Sequence, residues 1–299
     1  MKKSLLVFLG ISNLLLASEF DYGSGTFTMN GGFLGLTQEI DTDVTTYSLV
    51  TRHANIFSDA FYGYDLTWYD SKKLNQAQHT YNNIASEFNP IGGNNNVGSL
   101  SIPSMEYRLQ GLDANLQFGY DVLHQDKDNY LGVGALVGIS LPWIDGLKSD
   151  SSSSSDNSLL GAFPDTKTEI QTYKLGATVN FKKALVSNKL SLYGTASYAY
   201  QTGNIENDHL NSDYSVNGTF QEYNVGLYFT PFTEEYKLGF ITLGPRVFAT
   251  AGYKYSKWEV DDMVINMSGK EVSSDILSPL ATQFSMESSI GYFGLGYSF

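Results

Sequence analysis

The sequence predicts an all-β fold, a closed antiparallel barrel of about ten strands that crosses a membrane. Three observations lead to this fold class. Apolar and polar residues alternate with a period of two over segments of about ten residues, the length that a tilted strand needs to cross a bilayer. The chain opens with an apolar segment that has the features of an export signal. The connections between the alternating segments are short and long in turn, as the turns and loops of membrane barrels are.

The opening segment has the composition of a signal peptide. Two lysines precede an apolar run from Ser4 to Leu16, and the small residues Ala17 and Ser18 follow that run. A helix that spans a bilayer needs roughly 20 apolar residues, so this run is too short to be one. We therefore expect residues 1–18 to be a cleaved signal peptide and residues 19–299 to form one barrel domain.

Composition narrows the possible function classes. The formal net charge of −13 would repel nucleic acid, and no basic stripe compensates for it, so we expect no nucleic-acid partner. Cysteine is absent, which excludes disulfides, thiolate metal sites and cysteine nucleophiles. Aromatic residues make up 14% of the chain and charged residues only 16%, which favours strands that face lipid over a soluble domain.

The alternation is clearest in the middle of the chain. In residues 112–122, Leu112 and Leu116 fall on one face of the predicted strand, and Asp113 and Asp121 fall on the other. The same pattern defines about ten segments, of which the first two are the least regular. These segments cover residues 26–36, 44–55, 60–69, 112–122, 130–141, 173–181, 190–200, 223–229, 240–255 and 284–299.

A soluble β-sandwich also alternates, so strand length has to separate the two classes. Soluble strands cluster near five or six residues, whereas these segments are about twice as long. Aromatic residues mark the ends of several apolar faces, as Tyr62 and Trp68 do, which suits an aromatic girdle at lipid headgroups. A count of about eight to twelve strands stays open, because residues 256–283 and the first two segments can be divided differently.

The last residues of the chain resemble the C-terminal strand of bacterial outer-membrane β-barrel proteins. Phe293, Leu295, Tyr297 and Phe299 fill alternate positions, as the aromatic and apolar residues of that strand do in this class. The resemblance implies that these four residues form the signal read by the barrel-insertion machinery. It also implies a Gram-negative outer membrane as the location, with its lipid and the insertion machinery as partners.

In such a barrel both chain ends lie on the periplasmic side. The periplasmic turns would then lie near residues 57–59, 123–129, 182–188 and 231–237, and all are short. The external connections near residues 39–43, 70–104, 142–168, 201–219 and 256–283 are mostly long. Within the second of these, residues 74–88 place apolar side chains at helical spacing and predict a short helix.

Charged residues on the predicted inner face form the candidate site. We expect them to pair with one another, because an isolated charge in a low-dielectric interior is costly. Two interpretations stay open: a network that holds the lumen shut, or the lining of a narrow channel. A barrel of about ten strands is largely filled by its own side chains, which disfavours a general porin. The predicted lumen residues are Asp65, Asp113, Asp121, Lys174, Glu222, Arg246 and Lys254.

The motifs of membrane hydrolases are largely missing. No histidine stands two residues before a serine, as in outer-membrane lipid hydrolases, and no Gly-x-Ser-x-Gly occurs. The chain is similar to omptin proteases in length and expected strand number, and Glu206, Asp208 and His209 lie near the fourth external loop, where omptins carry a catalytic Asp and His. That family has Asp-x-His, whereas residue 207 is Asn, and the second loop offers Asp70 but no Asp-x-Asp.

We therefore expect a non-enzymatic outer-membrane barrel. Its role would be structural, or it would bind a surface ligand of unknown identity through long extracellular loops. The alternatives are a narrow solute channel and, behind it, an omptin-like surface protease. The four histidines are scattered, and no loop has calcium-site spacing, so we expect no metal and no cofactor.

Overall fold

A computed structural model describes most of the chain. The described residues are 17–33, 36–57, 59–76, 79–81, 100–102, 105–123, 129–147, 167–186, 189–207, 210–232, 234–238, 241–244, 246–267, 270–272 and 284–298. Residues 1–16 of the predicted signal peptide 1–18, together with Asp208, His209 and Phe299, lie outside them.

Ten long strands, all antiparallel to their neighbours, form the barrel in the described part of the chain. This confirms the predicted fold class and the count of about ten. The strands are β1 (Ala17–Phe33), β2 (Leu36–Phe57), β3 (Ala60–Ser71), β4 (Met105–Asp121), β5 (Asn129–Leu147), β6 (Lys167–Val186), β7 (Leu190–Asn207), β8 (Leu210–Phe229), β9 (Val247–Met267) and β10 (Phe284–Ser298).

The sheet closes because the first strand pairs with the last. Each strand pairs with the next one in sequence, and β1 pairs with β10 from Ala17 opposite Ser298 to Gly31 opposite Phe284. An unpaired N–H or C=O group in hydrocarbon costs several kcal/mol, so an open sheet edge could not face lipid. We call the end where β1 begins and β10 finishes the periplasmic end, and the opposite end the extracellular end.

The two faces of the strands differ as the alternation predicts. Outward side chains such as Leu175 and Leu295 are 66% and 57% exposed on the isolated protein. Inward side chains such as Asp113 and Thr178 are each 1% exposed. A hydrocarbon surface outside and a packed interior inside account for this difference.

The strands are longer than the sequence indicates, chiefly at the extracellular end. Strands β7 and β8 continue to Asn207 and Leu210, so much of the predicted loop 201–219 is a strand hairpin. Strand β9 likewise includes residues 256–267. The alternation fades in these parts because both faces of a strand beyond the bilayer meet water, and polar residues suit either face.

The helix predicted over residues 74–88 is wrong wherever the structure describes those residues. Leu74–Gln76 pairs with β4, and His79–Tyr81 pairs with Leu100–Ile102. Pairing with neighbouring strands outweighs the helical spacing of the apolar residues. Among the described residues, no helix is long and apolar enough to cross a membrane.

Two other short strand pairings lie outside the barrel wall. At the periplasmic end, Tyr236–Leu238 pairs with Ile241–Leu243, so the connection before β9 is longer than a simple turn. At the extracellular end, Lys270–Val272 folds back on the end of β9.

The barrel interior as candidate functional site

An apolar plug fills the extracellular half of the lumen. It is formed by buried side chains, at least one from every barrel strand: Phe27, Val44, Tyr69, Leu109, Leu136, Ile170, Ala199, Phe220, Trp258, Met286 and Ile290. Inward alternation places each of these side chains on the lumen face of its strand, where they pack into one cluster.

The indole of Trp258 is at the centre of the plug. Its ring lies 5.5 Å from the Phe220 ring, 6.0 Å from the Phe27 ring and 6.4 Å from the Tyr69 ring, measured between centroids. Its Nε1–H donates a 3.0 Å hydrogen bond to Ser140, so the one polar atom of the indole is satisfied. A cavity beside the plug measures about 10 Å³, which is room for one water molecule at most.

A buried ion pair lies directly below the plug. Lys174 Nζ is 2.5 Å from Asp113 Oδ1, and both side chains are almost fully shielded from solvent. Ser140 and Asn115 also donate hydrogen bonds to Asp113. The ammonium group lies 4.0 Å from the centre of the Phe220 ring, so it contacts the plug through a cation–π interaction.

A second charged layer contains one lysine between two carboxylates. Lys254 Nζ is 2.5 Å from Asp65 Oδ2 and 3.3 Å from Glu222 Oε2. Thr67 donates a 2.6 Å hydrogen bond to Asp65. Asp65 lies on β3, Glu222 on β8 and Lys254 on β9. The Lys254–Glu222 pair therefore joins neighbouring strands, whereas the Lys254–Asp65 pair joins strands that are not neighbours in the wall.

The third charged layer, near the periplasmic end, is built on Arg52. Its guanidinium contacts Glu19 and Asp21, with N–O distances of 2.9 Å to each carboxylate. The same group lies over two tyrosine rings, 4.5 Å from the centre of Tyr193 and 5.3 Å from that of Tyr292. This Arg52 layer therefore links β1 and β2 to β7 and β10 across the lumen.

Five of the seven predicted lumen residues lie within these layers. They are Asp65, Asp113, Lys174, Glu222 and Lys254. Asp121 is elsewhere: its Oδ1 accepts the N–H groups of Leu123 and Leu131 at the turn between β4 and β5. The inner-face assignment of Arg246 needs correction, because this exposed residue precedes the first residue of β9.

Sequence reasoning missed the Arg52 layer. Glu19 and Asp21 are 2% and 4% exposed and alternate with Phe20 and Tyr22, which are 54% and 51% exposed. The period-two signal was therefore present at the start of β1. It was hidden because these residues directly follow the predicted signal peptide and were not counted in a strand.

Comparisons with known proteins give a likeness of fold. Outer membrane protease OmpT from Escherichia coli matches with a TM-score of 0.50 and 10% identity, over 95% of this chain and 97% of OmpT. This chain has the outer-membrane β-barrel fold.

Other barrels align less closely. The translocator domain of autotransporter NalP from Neisseria meningitidis aligns with a TM-score of 0.35 at 12% identity, over 100% of this chain and 94% of that domain. Ail, the attachment invasion locus protein of Yersinia pestis, aligns with a TM-score of 0.28 at 10% identity, over 92% of this chain and 98% of Ail. No protein-family model and no curated protein sequence matches the chain.

At 10% identity the similarity to OmpT shows the fold and says nothing about activity. Any activity has to be argued from the residues of this chain. Asp70 accepts hydrogen bonds of 3.0 and 2.9 Å from Arg108 and one of 3.1 Å from Gln110, and is therefore engaged in an ion pair. Glu206 is exposed, while Asp208 and His209 lie outside the described residues. Among the described residues, no group of three His, Asp or Glu side chains is placed to hold a metal ion.

The outward C-terminal residues are at the lipid-facing surface. Phe293, Leu295 and Tyr297 are 53%, 57% and 37% exposed on the isolated protein. Their alternation with Tyr292 and Gly294 continues the outward apolar band of β10 up to the end of the described strand.

Proposed function

We propose that this protein is an outer-membrane barrel with a closed lumen, which acts as a structural or surface-binding protein and not as a pore or an enzyme. One observation carries the proposal: every strand of the wall contributes a buried apolar side chain to the plug. An ion crossing this layer would lose its hydration without gaining polar partners, which is the means by which hydrophobic constrictions block conduction.

The location in the outer membrane is part of the proposal. The outward apolar band requires lipid, and Phe293, Leu295 and Tyr297 supply the pattern through which we expect the insertion machinery to act. Activity would then reside in the segments at the extracellular end, which contact solvent, surface sugars or a protein partner.

Conductance in planar bilayers tests the closed lumen. Purified, refolded protein is expected to give no current steps, because apolar side chains from every strand of the wall meet in the plug. A double variant, Phe220→Ala with Trp258→Ala, serves as the open control, since it removes two aromatic rings from the centre of the plug. Clear steps from the unaltered protein would contradict the proposal.

A narrow channel is the second candidate, and the polar lower lumen favours it. Below the plug, Lys174, Lys254 and Arg52 lie in successive layers, and a cavity of about 40 Å³ lies beside Arg52, Asp65 and Glu222. Such a lining would select ions if the plug moved aside. Steps in the same bilayer measurement that change with Lys254→Gln would support this candidate.

A protease remains the third candidate, through the fold shared with OmpT and the placement of His209 in the sequence. The test is incubation of the folded protein with a mixed peptide library. The proposal predicts no cleavage, and cleavage that disappears in His209→Ala would overturn the non-enzymatic assignment.

Surface binding is tested by shortening one extracellular connection. Deleting residues 151–164 leaves β5 and β6 intact, because those strands end at Leu147 and begin at Lys167. We expect the variant to insert and fold, and its attachment to cells or glycans to fall if this connection carries the ligand contact. If each long connection is deleted in turn and every variant attaches as well as the unaltered protein, surface binding is contradicted and only the structural role is left.

A further inference from the structure

A cation faces outward at the periplasmic end of β6. Outward residues Val179 and Phe181 are followed two positions later by Lys183, which is exposed. In the proposed membrane, the outward residues that precede Lys183 on β6 face hydrocarbon. Lys183 can therefore keep its charge solvated only by extending toward the headgroups. A lysine does so readily, because its apolar stem stays in contact with lipid while its ammonium group leaves the hydrocarbon.

Among the described residues, no acidic side chain lies directly opposite this lysine. The residues directly opposite Lys183 on the neighbouring strands are Asn129 and Leu192, and neither carries charge. Residues 182–189 contain three lysines and no Asp or Glu. Of the other two lysines, Lys182 lies over the Tyr228 ring at 4.2 Å, and Lys189 is exposed in the turn before β7.

Exposed apolar side chains lie near these lysines in the described part of the rim. Leu185 and Val186 are 54% and 52% exposed at the end of β6, and Val122 and Leu123 are 49% and 46% exposed at the turn after β4. Strand β5 alone separates the two turns in the wall. Exposed apolar side chains next to lysines form the pattern that binds the interface of an anionic membrane, where apolar groups insert and cations meet phosphates.

We infer that Lys183 and Lys189, with Leu185 and Val186 beside them, bind the phosphate headgroup of an anionic phospholipid in the periplasmic leaflet. A soluble anion would use the two ammonium groups but would leave the apolar side chains in water. A phospholipid satisfies both, because its phosphate lies directly next to its acyl chains. The site depends on the proposed location in the outer membrane and is independent of whether the lumen conducts.

Lipid retention in native mass spectrometry tests the site. The protein is inserted into nanodiscs of phosphatidylethanolamine with phosphatidylglycerol and is then released into mild detergent. The number of phosphatidylglycerol molecules retained is counted for the unaltered protein and for Lys183→Gln with Lys189→Gln. A matched control changes two lysines at the extracellular end, Lys72→Gln with Lys73→Gln, whose side chains are 80% and 63% exposed.

We expect the periplasmic double variant to lower phosphatidylglycerol affinity about 25-fold, since each of the two lysines near an anionic surface contributes about fivefold. The control should retain the lipid as the unaltered protein does. Equal losses in both variants, or no preference for phosphatidylglycerol over phosphatidylethanolamine, would overturn the inference. Added glycerol phosphate that competes fully would assign the site to free phosphate and contradict a lipid site.

Failure of this inference is distinguishable from failure of the proposed location. A protein that does not enter nanodiscs at all contradicts the membrane barrel itself. A protein that enters, resists heat as a folded band on electrophoresis and shows no lipid preference contradicts only the lysine site.

Discussion

Arg52 has to balance two carboxylates in the barrel interior. Its guanidinium holds Glu19 through two nitrogens and Asp21 through one, and both acids are nearly inaccessible to water. Its position between two tyrosine rings fixes the plane of the group. The charge of Arg52 therefore determines whether these two acids can stay buried.

Replacement of Arg52 by methionine is expected to destabilise the folded barrel by about 3–5 kcal/mol, because it leaves buried carboxylates without their cation. Methionine keeps an apolar stem of similar length, so most of the loss reflects charge. The free energy of unfolding in urea, followed by tryptophan fluorescence in lipid, measures it. Adding Glu19→Gln and Asp21→Asn to the same chain should recover part of the loss; no recovery would mean that packing, not charge, dominates.

Gly294 lies where the carboxylates of this layer approach the wall. A Cβ atom at this position would lie 2.0 Å from Asp21 Oδ1, 2.4 Å from Thr250 Oγ1 and 2.6 Å from Glu19 Oε1. Gly294→Ala should therefore cost about 1–3 kcal/mol through overpacking. Gly291→Ala on the same strand is the control, because its Cβ would have only Ser24 O nearby, at 3.9 Å. Equal unfolding midpoints for the two variants would show that the layer rearranges freely.

At the level of the strand, alternation determines which substitutions the barrel accepts. In β6 the outward Leu175 is 66% exposed to the surroundings, while the adjacent Lys174 is buried in its ion pair. A shift of one residue would exchange lipid-facing and lumen-facing side chains along the whole strand. The ion pair of Lys174 with Asp113 therefore also fixes the register of β6.

Leu175→Lys is expected to lower the stability of the inserted barrel by about 2–4 kcal/mol, the cost of a lysine facing the bilayer midplane. Gln171→Lys on the same outward face is the matched control, because it lies beyond Tyr173 toward the extracellular end. The folded fraction after insertion into liposomes measures both variants. Similar folded fractions would place the hydrocarbon band elsewhere on β6.

Much of this organisation could be predicted from sequence wherever one face of a strand meets hydrocarbon. Asp113 and Lys174 stand out because apolar neighbours flank them at alternate positions. Beyond the bilayer the contrast between faces disappears, which is why the ends of β7 and β8 resembled a loop. The pairing of Lys254 with Asp65 was not predictable either, since it joins β9 to β3 across the lumen and strand adjacency does not specify such a contact.

The whole barrel has a polar and an apolar half stacked along its axis. Three charged layers lie toward the periplasmic side, and the apolar plug lies toward the extracellular side. The interior packing can join all ten strands because a barrel of this size leaves space for side chains and little else. The strand register and the filling of the lumen by side chains are therefore two consequences of the same inward alternation.

The orientation of the molecule is accessible to a direct measurement, because the natural chain has no cysteine and gives no background with thiol reagents. Lys72→Cys places a thiol at the extracellular end, where the lysine side chain is 80% exposed, and Lys189→Cys places one at the periplasmic end. A maleimide that does not cross membranes should label the first variant on intact cells, and the second only after the outer membrane is opened. The reverse pattern would mean that the barrel is inverted, with the connections assigned to the extracellular side and the lysine site each on the opposite side of the membrane.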